Sequence, residues 1–350
     1  MRVLHVTEAF GAGTAGAIKQ YVSALPEHEH SLAFSERAEA PIDESALALF
    51  TGIERLPVGH FRRIRAIRTL TAGGRFDLVH AHSSYAGTYV RLARTRRSVP
   101  IVYTPHCLAF ERRDLSRSVR AAIRILENLL AVNTTVFAGC SPYETIVTSN
   151  FIGGSSARAV YVPNVSAGDV RLAQPHPGQD KAVRILGIGR IAPQKDPQFF
   201  ADTVMALRAR HSHITATWIG DGEPKLRRQL ELAGVHVTGW LTFAQARAAY
   251  NSAPSIYLHT ALWEGFPLSI LEAAKAGVPA VIRELPLYRG IDIPGRVATP
   301  HHAAAEVIAL LASDQAWQER IWHLRSALAD NRSDVQTARL QHAYKIAVNQ

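Results

Sequence analysis

The 350 residues are enough for about two domains of ordinary size, each able to bury a core without covalent staples. With 47% hydrophobic and 19% charged residues, and only 23 Gly and 18 Pro, the chain is neither a disulfide scaffold nor a disordered polymer. The formal net charge of +10 is uneven: from Arg55 to Arg124 fifteen arginines stand against Asp77, Glu111 and Asp114, a local balance of +12, and the rest is close to neutral.

The opening run MRVLHVTEAF is strand-like and lacks the apolar stretch and small residues of a secretory leader. No segment reaches the roughly 18 uninterrupted apolar residues of a spanning helix. Cys107 and Cys140 could close one bridge at most and have no metal-ligand spacing, so a reduced, cytoplasmic setting is expected. After the first strand comes GAGTAGAIKQY (11–21), where Gly11, Gly13 and Gly16 match G-x-G-x-x-G. Extra residues separate them from the strand, and only Glu36 stands near the place of an acidic ribose partner. The segment therefore reads as an anion or substrate loop at a helix start, not as a dinucleotide fingerprint.

Short runs rich in Val and Ile recur at 2–10, 31–36, 78–83, 101–106, 134–141 and 159–164, with room for a helix between them. The helical segments 61–70 and 117–130 carry Arg on one face and Ile, Val and Leu on the other. Such helices either dock on anionic lipid or present an ordinary solvated face. Nucleic acid is not expected as a partner, since no basic motif is interleaved with aromatics. The turn-rich stretch 166–182 reads as a linker. Strand runs resume at 184–191, 215–222, 236–240, 255–260 and 279–284, with a helix over 196–211 that Asp196 can cap and Pro197 can begin. From Ala303 onward the pattern is helical. This alternation predicts an α/β chain of two doubly wound parallel-sheet units, whose ligand binds at the carboxyl ends of the strands in a cleft between them.

Two segments carry chemistry. GRIAPQKDP (189–197) leaves Arg190 and Lys195 on the loop after the first strand of the second half, where two cations suit a diphosphate and can stabilise its leaving charge without proton transfer. They could instead be solvated surface charges. WEGFPLSILEAAKAGVPAV (263–281) places Glu264 in a loop and Glu272 one turn inside a helix that starts at Pro267, Leu268 and Ser269. The amides of that start would add a partial positive charge for phosphates. Glu272 could accept from a ribose and Glu264 from sugar hydroxyls, or the two could merely salt-bridge and decorate a turn.

Glu264, Glu272 and the intervening GFPLSIL, with Arg190 and Lys195 in GRIAPQK, resemble the donor-site signature of retaining glycosyltransferase family 4, which has the GT-B fold. VYVPNV (160–165), WIGDGE (218–223), HVTGW (236–240), HAHSSYAG (80–87) and YTPH (103–106) resemble that family's order of segments. The resemblance implies two Rossmann-like domains, 1–165 on the acceptor side and 183–329 on the donor side, with a C-terminal helix at 330–350 returning to the first. By the same resemblance Glu264 contacts the donor sugar, Glu272 the ribose, Arg190 and Lys195 the diphosphate, and Gly239 and Trp240 the base. Gly265, Phe266, Pro267, Leu268, Ser269 and Gly13 join the donor-binding set. His106 matches the position that meets the sugar near its reacting carbon, although a buried core histidine is the competing reading. His82 and Gly16 fall on the acceptor side.

The activity implied is retaining transfer of a hexose from a nucleotide sugar, a UDP-sugar first, to a saccharide or polyprenyl-linked saccharide in cell-surface polysaccharide assembly, at the inner face of the membrane. The chain has no Asp-x-Asp pair, so neither a metal nor another cofactor is expected. The alternatives are another GT-B nucleotide-sugar enzyme, an epimerase or a phosphorylase, and a nucleotide-sugar binding protein without catalysis. The family's paired glycines are here Gly11-Ala12-Gly13, a departure from its pattern, and ELPLYRGIDIP (284–294) lacks its later glycines, so no role is carried to that second place.

Overall fold

The computed structural model describes residues 1–35, 44–94, 99–152, 158–168, 170–178, 182–211 and 213–349. The chain divides into two compact units, one of Met1–Val165, Glu264–Phe266 and Asp330–Gln350, the other of Ser166–Trp263 and Pro267–Ala329.

In the first unit β1 (Arg2–Thr7), α1 (Ala12–Ala24), β2 (Glu29–Phe34), α2 (Glu44–Leu47), β3 (Gly52–Arg55), α3 (His60–Ala72), β4 (Leu78–His82), α4 (Ser84–Ala93), β5 (Ile101–Thr104), α5 (Arg117–Leu130), β6 (Val136–Gly139), α6 (Pro142–Ser149) and β7 (Arg158–Tyr161) follow one another. The seven strands pair in parallel in the order β3-β2-β1-β4-β5-β6-β7. Parallel strands need crossovers, and the crossovers put helices on both faces, which is why the central strands read as unbroken apolar runs. β3 was not anticipated. Its GIER is largely exposed because it is an edge strand, so the apolar signal is missing. The strand expected at 31–36 ends at Phe34, and Glu36 lies outside the described residues.

The second unit holds β8 (Val183–Ile188), α7 (Pro197–Arg208), β9 (Ile214–Ile219), α8 (Pro224–Leu232), β10 (His236–Val237), α9 (Phe243–Tyr250), β11 (Ser255–His259), α10 (Leu268–Ala276), β12 (Ala280–Arg283), β13 (Arg296–Val297), α11 (Pro300–Ala312) and α12 (Asp314–Ala327). Its parallel sheet runs β10-β9-β8-β11-β12-β13. Asp196 caps α7 by accepting from the Phe199 amide at 3.2 Å. The last helix, α13 (Ser333–Val348), belongs to the first unit, where Leu340, Ala343, Tyr344 and Ala347 pack on Val102, Val136 and Ala138.

The described part of the 166–182 stretch is no free linker. Arg171 and Gln174 donate their backbone amides to the carbonyls of Lys275 and Gly277, and Trp317 Nε1 donates to the Gln174 carbonyl, so the stretch lies along the second unit; positions 169 and 179–181 are outside the described residues. Turn-forming residues mark irregular backbone, and irregular backbone can still be bonded along its length. Among the described residues no helix is long and apolar enough to cross a membrane.

One buried ion pair holds α5 against the first sheet. Arg91, fully buried on α4, donates to Glu127 Oε2 at 2.9 Å and to the Gly87 carbonyl, and its guanidinium lies 4.2 Å from the Tyr103 ring centre. Removing one partner strands a buried charge, so Glu127→Ala should cost about 3–5 kcal/mol, whereas replacing both by apolar residues of similar volume should cost clearly less. Denaturant unfolding of the single and double variants measures the difference.

Candidate active site

In both sheets the strand order reverses at one point, between β1 and β4 and between β8 and β11, and α/β sheets bind ligands beyond the carboxyl ends of such strands. In the second unit the backbone leaves β8 at Gly189, with φ 130°, where a Cβ would lie 2.8 Å from Lys195 Cε. Arg190 is exposed on this loop, and Ile191 is pinned by its amide to Asp221 and its carbonyl to the Glu223 amide. Lys195 closes the short turn Pro193–Lys195. Thr260 Oγ1 donates to its carbonyl at 2.5 Å, and the Leu262 amide donates to Gln194, so the loops after β8 and β11 are tied together. The Asp196–Arg283 ion pair fixes the exit of the turn.

α10 begins beside this loop. Its N-cap, Pro267, supplies no side-chain cap to the first amides. Ser269 is held from behind, its Oγ bonded by Tyr257 Oη at 2.6 Å and its carbonyl by Tyr250 Oη at 3.0 Å. Tyr250 Oη also stands 3.5 Å from Glu272 Oε2. Burial raises the Glu272 carboxyl above its ordinary value, opposed by that hydroxyl, by Lys195 and by Arg247. Glu272 borders a small open cleft with Tyr250, Arg247, Arg171 and Lys275. Burial, then Lys195 and Arg283, push His259 far below the usual imidazole value. Gly239, with φ 74°, bridges Gly220 and brings the half-exposed Trp240 to this end of the sheet. A Cβ on Gly220 would lie 2.2 Å from the Gly189 carbonyl oxygen, which explains that glycine. The second unit thus carries Arg190, Lys195, Gly239, Trp240 and the 267–269 helix start in segments that follow its parallel strands, with Lys195 acting on Glu272. Arg247 and Tyr250 also belong beside Glu272, yet they come from α9, whose sequence shows no motif.

Glu264, Gly265 and Phe266, expected in the C-terminal half, cluster instead with the first unit. Gly265 lies against the backbone of His106 and Cys107, where a Cβ would be 2.5 Å from the His106 carbonyl carbon, and Asn164 Nδ2 donates to the Phe266 carbonyl at 2.9 Å. The turn they meet is strained. His106 has φ 54° and Cys107 φ 128°, both in a region that side chains disfavour. The buried Glu144 carboxylate holds it, accepting from the Cys107 amide at 3.0 Å and the Cys140 amide at 2.8 Å. Burial raises Glu144, and burial, Glu264, Glu144 and Glu111 together raise the Cys107 thiol.

His82, expected on the acceptor side, lies in the interior. It is fully buried, with Nδ1 3.1 Å from His106 Nε2 and Nε2 3.0 Å from His5 Nδ1, so it can reach a substrate only through His106. The strand register explains this: Thr7 pairs with His82 and His5 with His80, which puts these side chains on one face under α1 and α13. Gly13 and Gly16 are not loop residues either, because α1 starts at Ala12 and takes both into its first turns. Histidines at alternate positions of strand runs, His80 and His82 above all, were the available signal for this cluster; His5 and His30 were not singled out.

Burial drives His5, His80 and His82 well below the usual value near 6.5 and brings His106 to about 4. Between those folded values and about pH 6.5 the unfolded chain binds protons that the folded chain refuses, so stability rises with pH there, by up to about 1.4 kcal/mol per pH unit for each histidine. Glu144 acts in the opposite sense, since its folded value is raised. The unfolding midpoint should therefore fall as pH drops from 7 towards 5, and His80→Phe should flatten that dependence. Thermal melts across this range measure both slopes.

The sequence pattern of the glycosyl transferases group 1 matches residues 182–313, and that of the glycosyl transferase 4-like domain matches 13–165. The chain is 25% identical over 293 residues to an uncharacterized 41.2 kDa protein in the cps region of Klebsiella pneumoniae, covering 80% of each. It is 25% identical over 231 residues to the UDP-Gal:alpha-D-GlcNAc-diphosphoundecaprenol alpha-1,3-galactosyltransferase of Escherichia coli, covering 60% of this chain and 58% of that one. To the D-inositol 3-phosphate glycosyltransferase of Geodermatophilus obscurus it is 28% identical over 275 residues, covering 68% of this chain and 60% of the relative. The Anabaena protein HepE, solved in complex with UDP and glucose, superposes with a TM-score of 0.73 at 16% identity over 99% of both chains, which is a likeness of fold. With one matching domain in each half and a parallel Rossmann-like sheet in each unit, the chain belongs to the GT-B glycosyltransferases.

Proposed function

We propose that this glycosyltransferase is a retaining, metal-independent hexosyltransferase that moves a sugar from a nucleotide sugar, a UDP-sugar first, to a saccharide or polyprenyl-linked saccharide in cell-surface polysaccharide assembly. The observation that carries the donor half is the loop after β8, which holds Arg190 and Lys195 and is tied to the loop after β11, with Lys195 acting on Glu272 of α10, whose N-cap Pro267 supplies no side-chain cap. Those cations and the aligned amides supply the charge that a departing diphosphate needs. Glu272 takes the ribose hydroxyls, Gly239 and Trp240 the base, and Glu264 the sugar hydroxyls. The family resemblance assigns His106 to the reacting carbon. Both acids serve the donor, which suits front-face displacement through an oxocarbenium-like state, the leaving diphosphate oxygen taking the acceptor's proton. The names of the E. coli and Klebsiella relatives favour UDP, a diphosphoundecaprenol-linked acceptor and a cps-region setting.

Acceptors of that kind sit in a membrane, and α5 is built to meet one. Its buried edge is anchored by Glu127 and Leu130, while Val119, Ile125, Leu126 and Leu129 are exposed, as are Arg117 and Arg124. A helix with an exposed apolar stripe and exposed arginines docks on anionic lipid through both terms at once.

Lys195→Ala should lower kcat/KM for transfer by about 100-fold or more while leaving the melting midpoint near that of the parent. Chelator should leave the rate unchanged, and the product should keep the donor's anomeric configuration by NMR; rate loss restored by magnesium, or an inverted product, rejects the corresponding part of the reading. The chain should co-sediment with vesicles containing anionic lipid, less so at high salt, and the double variant Ile125→Glu, Leu129→Glu should stay in the supernatant.

A further inference from the structure

A row of buried histidines crosses the first unit. His106 Nε2 lies 3.1 Å from His82 Nδ1, His82 Nε2 3.0 Å from His5 Nδ1, His5 Nε2 2.9 Å from His30 Nδ1, and His30 Nε2 2.9 Å from the carbonyl oxygen of Leu25, just beyond α1. His5, His82 and His30 are buried, and the Tyr21 ring stacks over His82 and His106. A neutral imidazole has one N–H donor and one bare acceptor nitrogen, so the direction of each bond dictates the next.

The carbonyl at the end of the row can only accept. His30 must therefore carry its proton on Nε2, which leaves Nδ1 bare to accept from His5 Nε2–H. The same step repeats at His5 and at His82, and it makes His106 donate through Nε2–H. Any other neutral arrangement puts two hydrogens or two lone pairs face to face inside the core, at the cost of an unsatisfied buried polar group. A bound cation is the competing use of His5, His80 and His82, whose ligand nitrogens lie within 4.8 Å of one another. All six of their ring nitrogens already have hydrogen-bond partners, His80 between Tyr344 Oη at 2.9 Å and Thr104 Oγ1 at 2.8 Å, and a cation would have to take one bonded nitrogen from each histidine.

We propose that the Leu25 carbonyl, acting through His30, His5 and His82, fixes His106 as its Nε2–H tautomer and so presents a bare Nδ1 acceptor at the strained turn. His30, His5 and His82 are positioning residues that act through His106. The use of that acceptor, on a hydroxyl of the bound sugar, rests on the transferase reading above; the tautomer itself does not.

The test is NMR of the full chain labelled with 15N-histidine near neutral pH, where long-range correlations separate protonated from bare ring nitrogens. His5, His30, His82 and His106 should each show a protonated Nε2 and a bare Nδ1. An Nδ1–H form at any of the four, or zinc held stoichiometrically on His5 and His82, overturns the proposal. His30→Lys puts a donor where an acceptor stood, so it should reverse the row, convert His106 to its Nδ1–H form and lower kcat about tenfold or more, with donor KM changed less than about twofold. An unaltered His106 in that variant counts against the proposal. His80→Phe, equally buried and off the row, should leave the His106 tautomer as it was, and a change there also overturns it. If His30→Lys does not fold, the parent spectrum and His80→Phe still decide. Correct tautomers in a chain that transfers no sugar would refute the transferase reading and leave the row standing.

Discussion

A buried backbone or imidazole polar group is costly without a partner, and in the first unit that constraint organises the His106 turn and the histidine row. The turn after β5 has two residues at positive φ, a conformation costing on the order of 1–3 kcal/mol per residue unless the surroundings over-determine it. The Glu144 carboxylate does so by accepting two amides, one from that turn and one from the end of β6. Gly265 completes the clamp, because only a residue without a Cβ can lie so close to the turn's backbone. His106 is thus positioned from its main chain by Glu144 and Gly265, and from its ring by His82.

The second unit solves a different problem with fixed charges. In the proposed reading a guanidinium, an ammonium and a helix start give a phosphate site positive potential that does not titrate away. Burying Glu272 in the same place is costly, and Tyr250, Lys195 and Arg247 offset part of that cost. The loops stay in register because their carbonyls and amides are bonded to each other across β8 and β11 rather than to water. In both units the parallel ladder explains the location: with each sheet face covered by helices, irregular backbone and its polar groups are confined to the strand ends.

α5 illustrates why an amphipathic pattern alone misassigns faces. Its arginine and apolar stripes are plain in the sequence, and the usual inference would turn the apolar stripe inward. The structure anchors the helix by Glu127 and Leu130 and leaves Ile125, Leu126 and Leu129 outside. The buried partner of Glu127 is Arg91, from a helix far upstream, and no local window contains that information.

The sequence by itself determined what depends on neighbours along the chain: the alternation of apolar runs and helices, the cap of Asp196 on α7, the loop position of Arg190 and Lys195, and the place of Glu272 one turn inside a helix. It also carried the motif set that points to the GT-B family. Tertiary structure alone decided that Glu264 to Phe266 cluster with the first unit, that Glu144 clamps the His106 turn, that Arg247 and Tyr250 stand beside Glu272, and that His82 is interior. The physical reason is one of range. Propensity and periodicity act over a few residues, whereas these contacts join segments tens of residues or more apart, and strand register, not spacing, chose which side chains would meet.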